Sequence, residues 1–394
     1  MYWRRRSLCT NYRKIKLILT EQQELVRRSA QEFASKHLEP GAIKRDDNAE
    51  FPHQEVKMMG DLGYMGIMVP EEWDGAGMDT ISYSLIIEEI SRIDASAGVI
   101  VSVNNSLVCQ AFVNYGNDFQ NETFLKGLAK GDLLGAFSLS EPQSGSDASN
   151  MKTVAEKDGS HYILNGTKNW VTNGINSDLV IVMAVTDQSK GYKGISAFIV
   201  PKDLDGISLG NKEDKLGIRS SDTCEIHFDN CRVPIENLIS NEGEGYRIAL
   251  NTLDGGRIGI SSQALGIAQA ALDKSKSYAK ERKQFGRAIA DFGAIKDKIS
   301  SMGTNIEASR LLIHNAAKLK DMHKPFTKEA AMAKLFSSQT AMDAATDCVQ
   351  IFGGYGYMQD YGVERLMRDA KITQIYEGTT EIQKMVIARE LLED

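Results

Sequence analysis

The stretch Ile375-Tyr376-Glu377-Gly378-Thr379-Thr380-Glu381-Ile382-Gln383 sets a carboxylate beside a glycine, just ahead of a helix start. Thr380 followed by Gln383 has the spacing of a capping box, which predicts a helix running to about Leu392. Glu377 then lies in a turn opened by Gly378, held by backbone but facing outward, as a general base should be. The helix N-terminus favours its ionised form, while a dry pocket would raise its pKa from the free value of about 4.3. On these residues alone it is either a base or an acidic residue that complements a helix dipole.

Two further stretches carry residue types suited to binding. Phe137-Ser138-Leu139-Ser140-Glu141-Pro142-Gln143-Ser144-Gly145-Ser146-Asp147-Ala148 is rich in small residues and hydroxyls that leave backbone N–H groups open. Such a loop suits a ring edge or a pyrophosphate, and is equally readable as an ordinary polar loop. Gln350-Ile351-Phe352-Gly353-Gly354-Tyr355-Gly356-Tyr357 ends a helix, where a glycine C-cap explains one or two of the glycines but not three.

The elements that must position these residues change in texture along the chain. Residues 1–19 form a basic leader with Arg4, Arg5, Arg6, Arg13, Lys14 and Lys16 and no acid before Glu21. It reads as a fragment of an organellar presequence, a disordered leader or a start placed too early. Residues 20–130 read as an all-α domain: Leu25, Ser29, Phe33 and His37 follow near-helical spacing until Pro40-Gly41 stops the element. Further helices follow from Pro52, near Thr80 to Ile93 and from Ala95 to Tyr115.

Residues 131–236 read as a β-barrel-like domain. Val154 to Leu164, Leu179 to Val185, Ile195 to Pro201 and Thr223 to Phe228 are β-branched runs, with turn signals at Asp158-Gly159, Asn165-Gly166, Asn173-Gly174 and Asp205-Gly206. Strands without intervening helices, and no G-x-G-x-x-G after a strand, argue against a dinucleotide-binding Rossmann unit. Residues 237–394 read as a four-helix bundle, with helices near Gly245 to Glu281, Gly293 to Asp321, Lys328 to Ile351 and the closing helix. The class is α+β multidomain.

Composition narrows the function. With 394 residues, 42% hydrophobic and 25% charged, the chain has an ordinary globular make-up and room for two or three domains. A net charge of -7 and a pI near 5.6 argue against nucleic acid as a partner. No apolar run is read as long enough to cross a bilayer. Cys9, Cys109, Cys224, Cys231 and Cys348 are scattered and odd in number, which implies neither a disulfide framework nor a metal site, and six histidines show no ligand pattern. A reducing compartment fits.

Together with Asn169-Trp170-Val171-Thr172-Asn173-Gly174 and Glu281-Arg282-Lys283-Gln284-Phe285-Gly286, the order of motifs resembles the acyl-CoA dehydrogenase family from about Leu19 to Leu392. The Gln350 to Asp369 stretch matches throughout, including Asp360 and Arg365. Val103-Asn104-Asn105-Ser106-Leu107 and Gly256-Arg257-Ile258-Gly259-Ile260 most resemble its short-chain, butyryl-type branch.

The resemblance implies FAD between the β-domain and the bundle, and oxidation of the Cα–Cβ bond of a short saturated acyl-CoA. It makes Glu377 the base for the α-proton, with its own N–H and a flavin ribityl hydroxyl holding the thioester carbonyl while hydride leaves to flavin N5. It assigns Phe137, Leu139 and Ser140 to the flavin and Ser146 to the pyrophosphate and CoA. Trp170 covers a face of the isoalloxazine, and Thr172 lies near N5. Arg282, Phe285, Gln350, Gly353 and Gly354 serve the FAD of a neighbouring subunit, and Thr379 and Glu381 the adenosine half. Asp254 to Arg257 and Gly378 match the CoA-substrate positions.

Partners implied are an electron-transfer flavoprotein and copies of the chain in a homotetramer, a dimer of dimers; an oxidase using O₂ or a non-catalytic scaffold would share the fold. A bacterial cytoplasm is expected, with the mitochondrial matrix as the alternative. Three departures stand out. Phe292-Gly293 replaces phenylalanine-glutamine and removes a contact to FAD. Ser149-Asn150 replaces smaller residues in the flavin loop. Gly98 stands where glutaryl-type members carry arginine, which argues against a dicarboxylyl substrate. Glycine near position 255 excludes the bundle-helix base of some branched-chain members.

Overall fold

The computed structural model describes residues 19–393, so the basic leader lies almost wholly outside them. The N-terminal block comprises α1 (Glu21–Phe33), α2 (Ala42–Asn48), α3 (His53–Asp61), α4 (Thr80–Ser91), α5 (Ala95–Ser102) and α6 (Gln110–Tyr115), closed by α7 (Asp118–Gln120) and α8 (Lys126–Lys130). Thr20 caps α1 in a complete capping box with Gln23. The buried face of α1 is Gln23, Val26, Ala30 and Phe33, whereas Leu25 is 59% exposed. The stripe read from Leu25 and Ser29 is therefore corrected. Both stripes have helical spacing and share Phe33, so periodicity alone does not choose between them. Pro40-Gly41 is not a stop either: it lies in a 3₁₀ turn that runs straight into α2, because a proline in a first turn removes no needed hydrogen bond.

The predicted helix Ala95–Tyr115 is interrupted by a π-helical segment, Val103–Cys109. Among the described residues this helix is the one that is long and apolar enough to cross a membrane, with mean hydropathy 1.4, but 94% of that window is buried in the protein. Length and composition thus correct the reading that no such run exists, and burial makes it a core helix. Its π segment turns two asparagines onto backbone. Asn104 Nδ2 donates to the Met65 and Leu128 carbonyls (2.8 and 3.2 Å), and Asn104 Oδ1 accepts from Gly135 N–H at 3.0 Å. Asn105 likewise holds Ile67 N–H and the Tyr64 carbonyl, each at 2.8 Å. The motif read as a branch signature is a structural pin between the helical block and the sheet.

The middle block is an eight-stranded sheet of β1 (Gly135–Ser138), β2 (Val154–Asp158), β3 (His161–Thr172), β4 (Leu179–Val185), β5 (Ile195–Pro201), β6 (Ile207–Leu209), β7 (Thr223–Pro234) and β8 (Leu238–Ile239). The order is β6-β7-β3-β2-β4-β5-β8, with β1 parallel to β4. Tyr162, Val171, Val182, Phe198, Cys224 and Ile226 from β3, β4, β5 and β7 share one core, so the sheet curls on itself like a barrel. The single strand expected over Val154 to Leu164 is a hairpin: Asp158 pairs with His161 around Gly159, whose φ is +59°.

The C-terminal block packs α9 (Gly245–Glu281), α10 (Gly293–Asp321), α11 (Thr327–Phe352) and α13 (Thr380–Glu393), with α12 (Val363–Ile372) in the last connection and a two-residue ribbon, β9 (Lys283–Gln284) and β10 (Arg287–Ala288), after α9. Buried glycines let neighbours close on α9: a Cβ at Gly259 would lie 2.2 Å from Tyr83 Oη of α4. Asn104 bonds three backbone groups, so Asn104→Leu removes three hydrogen bonds, and of the groups it leaves the Leu128 carbonyl keeps the Gly131 N–H at 3.2 Å. A loss of about 3 kcal/mol or more is expected, seen as a clear fall in the thermal unfolding midpoint.

Candidate active site

Glu377 and Gly378 join α12 to α13 with φ values of 51° and 93°, both left-handed. A non-glycine residue persists there only where its surroundings over-determine the backbone. They do so here. Gln383 Nε2 donates to the Glu377 carbonyl (3.1 Å) and the Gly378 carbonyl (2.9 Å), and Lys334 Nζ of α11 donates to the same Gly378 carbonyl at 2.6 Å. The expected Thr380–Gln383 capping box is therefore absent. Thr379 Oγ1 faces Ile382 N–H at 3.4 Å, Thr380 Oγ1 donates back to the Gln374 carbonyl, and the Gln383 side chain is committed to the turn.

The carboxylate does not face outward as read from sequence; it points into the seam between α9 and the π segment. Its Oε2 is buried with no hydrogen-bond partner. A Cβ at Gly256 of α9 would lie 2.1 Å from that oxygen and 2.8 Å from Leu107 Cδ2. Gly256 is thus the helix position closest to the carboxylate, next to the Gly255 singled out above. Burial pushes the Glu377 carboxyl up to about 8, with Lys334 and Arg257 pulling the other way. Tyr376 Oη, also buried, donates to Gln263 Oε1 of α9, and Tyr83 Oη shares a 2.9 Å hydrogen bond with Ser102 Oγ. These groups line the same seam without offering a competing base.

Asp254 and Arg257 flank Gly255 and Gly256 on α9. Arg257 Nη1 donates to Asp254 Oδ1 at 2.5 Å, and Asp254 Oδ2 accepts from Thr327 Oγ1 at 2.6 Å. Arg257 Nε is buried and unpartnered. Burial raises the Asp254 carboxyl against the pull of Arg257. Buried polar atoms are normally hydrogen-bonded, so the unpartnered Arg257 Nε and Glu377 Oε2 mark this part of the bundle as a candidate ligand site.

On the β side, the loop after β1 and a bulge in β3 come together. The β3–β7 register shifts between Lys168 and Val171, and in the bulge Trp170 takes φ 59° and stays 61% exposed. Asn169 N–H donates to the Ser140 carbonyl at 2.9 Å. Phe137, Leu139, Ser140, Trp170 and Thr172 are thereby brought to one region, with Ser146 exposed on the loop beyond. Underneath lies a pair missed in the sequence: Lys168 Nζ, fully buried, donates to Glu141 Oε1 (2.9 Å) and the Leu139 carbonyl (3.2 Å). Glu141 also accepts from the Lys152 and Thr153 N–H groups. Despite its burial, these partners hold it down to about 2, while desolvation draws Lys168 down to about 8. For Lys334 the available signal was its interruption of the buried α11 stripe of Ala330, Ser337 and Ala341.

Arg282, Gly353 and Gly354 line a separate surface cavity of about 430 Å³ with Tyr278, Tyr355 and Met358. A Cβ at Gly353 or Gly354 would meet nothing, so this surface is open to a large partner. Gln350 is exposed on the preceding turn of α11, whereas Phe285 is 93% exposed and does not line the cavity. The structure does not bring this group to Glu377 within one chain. Thr379 sits in the Glu377 turn, and Glu381 is exposed at the start of α13. Gly293 has open space around it, as Gly98 does not: a Cβ there would lie 2.0 Å from Ser91 Oγ.

A helical block, a curled sheet and a bundle surround a buried carboxylate oxygen that has no hydrogen-bond partner. Family models for the acyl-CoA dehydrogenase N-terminal, middle and C-terminal domains match residues 20–132, 136–231 and 243–392. A short-chain specific acyl-CoA dehydrogenase from Clostridium acetobutylicum is 48% identical over 370 residues, 94% of this chain and 98% of that one. The structure of butyryl-CoA dehydrogenase from Megasphaera elsdenii matches with a TM-score of 0.94 and 44% identity, covering 96% and 100% of the two chains. A chain from a structure of the electron transferring flavoprotein of Acidaminococcus fermentans matches at TM-score 0.95 and 47% identity, with 96% and 100% covered. The chain belongs to the acyl-CoA dehydrogenase family, most similar in kind to its short-chain branch, and is an oxidoreductase.

A carboxyl whose pKa rises from 4.5 to about 8 on folding binds protons more tightly in the folded state, so its contribution to stability is lost as pH rises through about 8. Glu377→Gln mimics the protonated form. Its stability should match the wild type near pH 4.5 and exceed it increasingly toward about pH 8, as read from thermal midpoints across that range.

Proposed function

We propose that the chain catalyses α,β-dehydrogenation of a short saturated acyl-CoA to the trans-2-enoyl-CoA, working as a homotetramer and passing its electrons to an electron-transfer flavoprotein. FAD is its cofactor. The observation that carries the reading is the unpartnered Oε2 of Glu377, desolvated and raised in pKa, against a backbone left bare by Gly256.

The residues present fit the flavin. The exposed Trp170 on its bulge, the backbone groups of Phe137, Leu139 and Ser140 and the hydroxyl of Thr172 form a cradle on the β side. Arg282, Gln350, Gly353 and Gly354 supply an open cationic surface for the FAD of a neighbouring subunit. Bound flavin supplies the hydride acceptor.

The chain's own residues do the rest. Glu377 removes the α-proton: a carboxylate near pH 8 is a far stronger base than one near 4.5, and a dry seam keeps water from competing for it. Its backbone N–H, presented by the left-handed turn, is placed to hold the thioester carbonyl as charge develops there. Asp254, Arg257, Ser146 and Gly378 position the CoA portion, with Arg257 Nε free to donate. The relatives named for short-chain and butyryl substrates, and the match to a chain from an electron transferring flavoprotein structure, support the substrate class and the electron acceptor.

Glu377→Gln should purify yellow and lose dehydrogenation by about 10²-fold or more. Bleaching of its flavin by anaerobic butyryl-CoA at the wild-type rate would exclude Glu377 as the base. For the wild type, kcat/KM should rise with pH through a midpoint near 8, since the ionised form is the competent one. A C4 to C16 acyl-CoA series should give its highest kcat/KM at the short end; an optimum at C12 or longer would exclude the short-chain assignment.

A further inference from the structure

We infer that Lys334 is the positioning residue of the base: through the Gly378 carbonyl it fixes the Glu377–Gly378 turn, and its ammonium is the counter-charge for the Glu377 carboxylate. The inference rests on the assignment of Glu377 as the base. No motif in the sequence points to Lys334, which lies 43 positions upstream on another helix.

Three observations carry it. Lys334 is fully buried, and a buried ammonium is stable only where something compensates it. Its Nζ donates to the Gly378 carbonyl at 2.6 Å, and it makes no ion pair with a carboxylate among the described residues. A carbonyl satisfies a donor but does not neutralise a charge, so the positive charge remains to act on its surroundings. Second, the other cation facing Glu377 is already matched. Arg257 of α9 is paired at 2.5 Å with Asp254, which leaves Lys334 of α11 as the cation with charge to give. Third, Lys334 and Gln383 donate to the same carbonyl oxygen from opposite helices, α11 and α13. The peptide after Glu377 is thereby clamped, which is what a glutamate at φ 51° requires.

The remaining groups around the carboxylate do not substitute. Tyr376 and Tyr83 of α4 are held neutral by burial, Gln263 of α9 is neutral, and Asp369 of α12 is felt through Tyr376. Glu381 of α13 is exposed and acts on Lys334 rather than on the base. The electrostatic directions agree with the geometry. Burial draws Lys334 down to about 8 while Glu377 supports its charge, and Lys334 is the larger of the two cationic pulls on Glu377.

The test compares the FAD-loaded wild type with Lys334→Met, Lys334→Gln, Lys334→Arg and Glu377→Gln. Two readouts are followed against pH: the protonated-carboxyl infrared band that Glu377→Gln removes, and the rate of flavin bleaching by anaerobic butyryl-CoA. Removing a nearby cation disfavours the carboxylate, so in Lys334→Met the band should persist to higher pH by about one unit or more. Bleaching at pH 7 should fall by about tenfold, with the deficit shrinking as pH rises. Lys334→Gln keeps a donor for Gly378 but drops the charge, and should show the same shift; it carries the test if Lys334→Met does not fold. Lys334→Arg keeps the charge and should hold the midpoint near the wild type. A folded neutral variant that loses thermal stability yet titrates Glu377 at the wild-type midpoint would overturn the inference and make Lys334 merely structural. If instead Glu377→Gln bleaches at the wild-type rate, the base assignment itself fails, whatever Lys334 does.

Discussion

A carboxylate kept dry against the backbone of a helix is the constraint on which the rest of this structure depends. Water stabilises an ionised carboxylate better than any apolar seam does, so the fold must replace that solvation without filling the space a substrate needs. It does so by distance rather than by contact. No donor touches Glu377 Oε2; the cations Lys334 and Arg257 act on it through the low-dielectric interior instead. A direct ion pair would have satisfied the oxygen and lowered its basicity. Holding the charges one step back leaves the group both ionisable and basic.

The β side solves the opposite problem with the opposite arrangement. Lys168 and Glu141 are in direct contact; the lysine also donates to the Leu139 carbonyl, and the carboxylate also accepts from Gln143 Nε2 and the Lys152 and Thr153 N–H groups. Breaking one partner of such a buried pair costs far more than a surface pair would, about 3–5 kcal/mol, because the other charge is stranded. The pair lies beneath the loop and bulge that carry Phe137, Ser140 and Trp170, and in the proposed flavin site it would keep them rigid before the ring arrives. Among the described residues Lys168 and Lys334 are both fully buried: Lys168 is ion-paired with Glu141, whereas Lys334 donates to the Gly378 carbonyl and has no ion pair.

Much of the architecture was legible because it rests on local rules. The long helices of the bundle, the β-branched runs and the turn dipeptides are one-dimensional signals, and β4, β5, α9 and α10 fall where those signals place them. The failures are equally physical. Two overlapping helical stripes on α1 differ only in which face meets the core, and that is decided by α4, not by α1. The π segment within Ala95–Tyr115 is set by what Asn104 and Asn105 reach across to bind. At the site, Glu377 and its glycine were visible in the sequence, but its inward aim was not, because the capping residues that suggested an exposed turn are used differently. Gln383 reaches back to carbonyls rather than to an N–H, and it shares the Gly378 carbonyl with Lys334 from another helix. Most of the functional reading came from the resemblance of motifs; the residues alone favoured the dipole ornament over the base.

The placement of the base on a loop rather than on the neighbouring helix follows from the same geometry. A side chain grown from position 256 of α9 would start within 2.1 Å of where the carboxylate now stands, so helix and loop compete for one volume. A helical carboxylate would carry its backbone N–H in the i to i−4 ladder, leaving none to hold a developing oxyanion. In the left-handed turn, the Glu377 carbonyl and the Gly378 carbonyl are taken by Gln383 and Lys334, while the Glu377 N–H enters no hydrogen bond of the helices on either side. In the proposed role, one residue would present a base through its side chain and a hydrogen-bond donor through its backbone. The strain of φ 51° is the cost of that dual use, and the bare Gly256 backbone is what makes room for it.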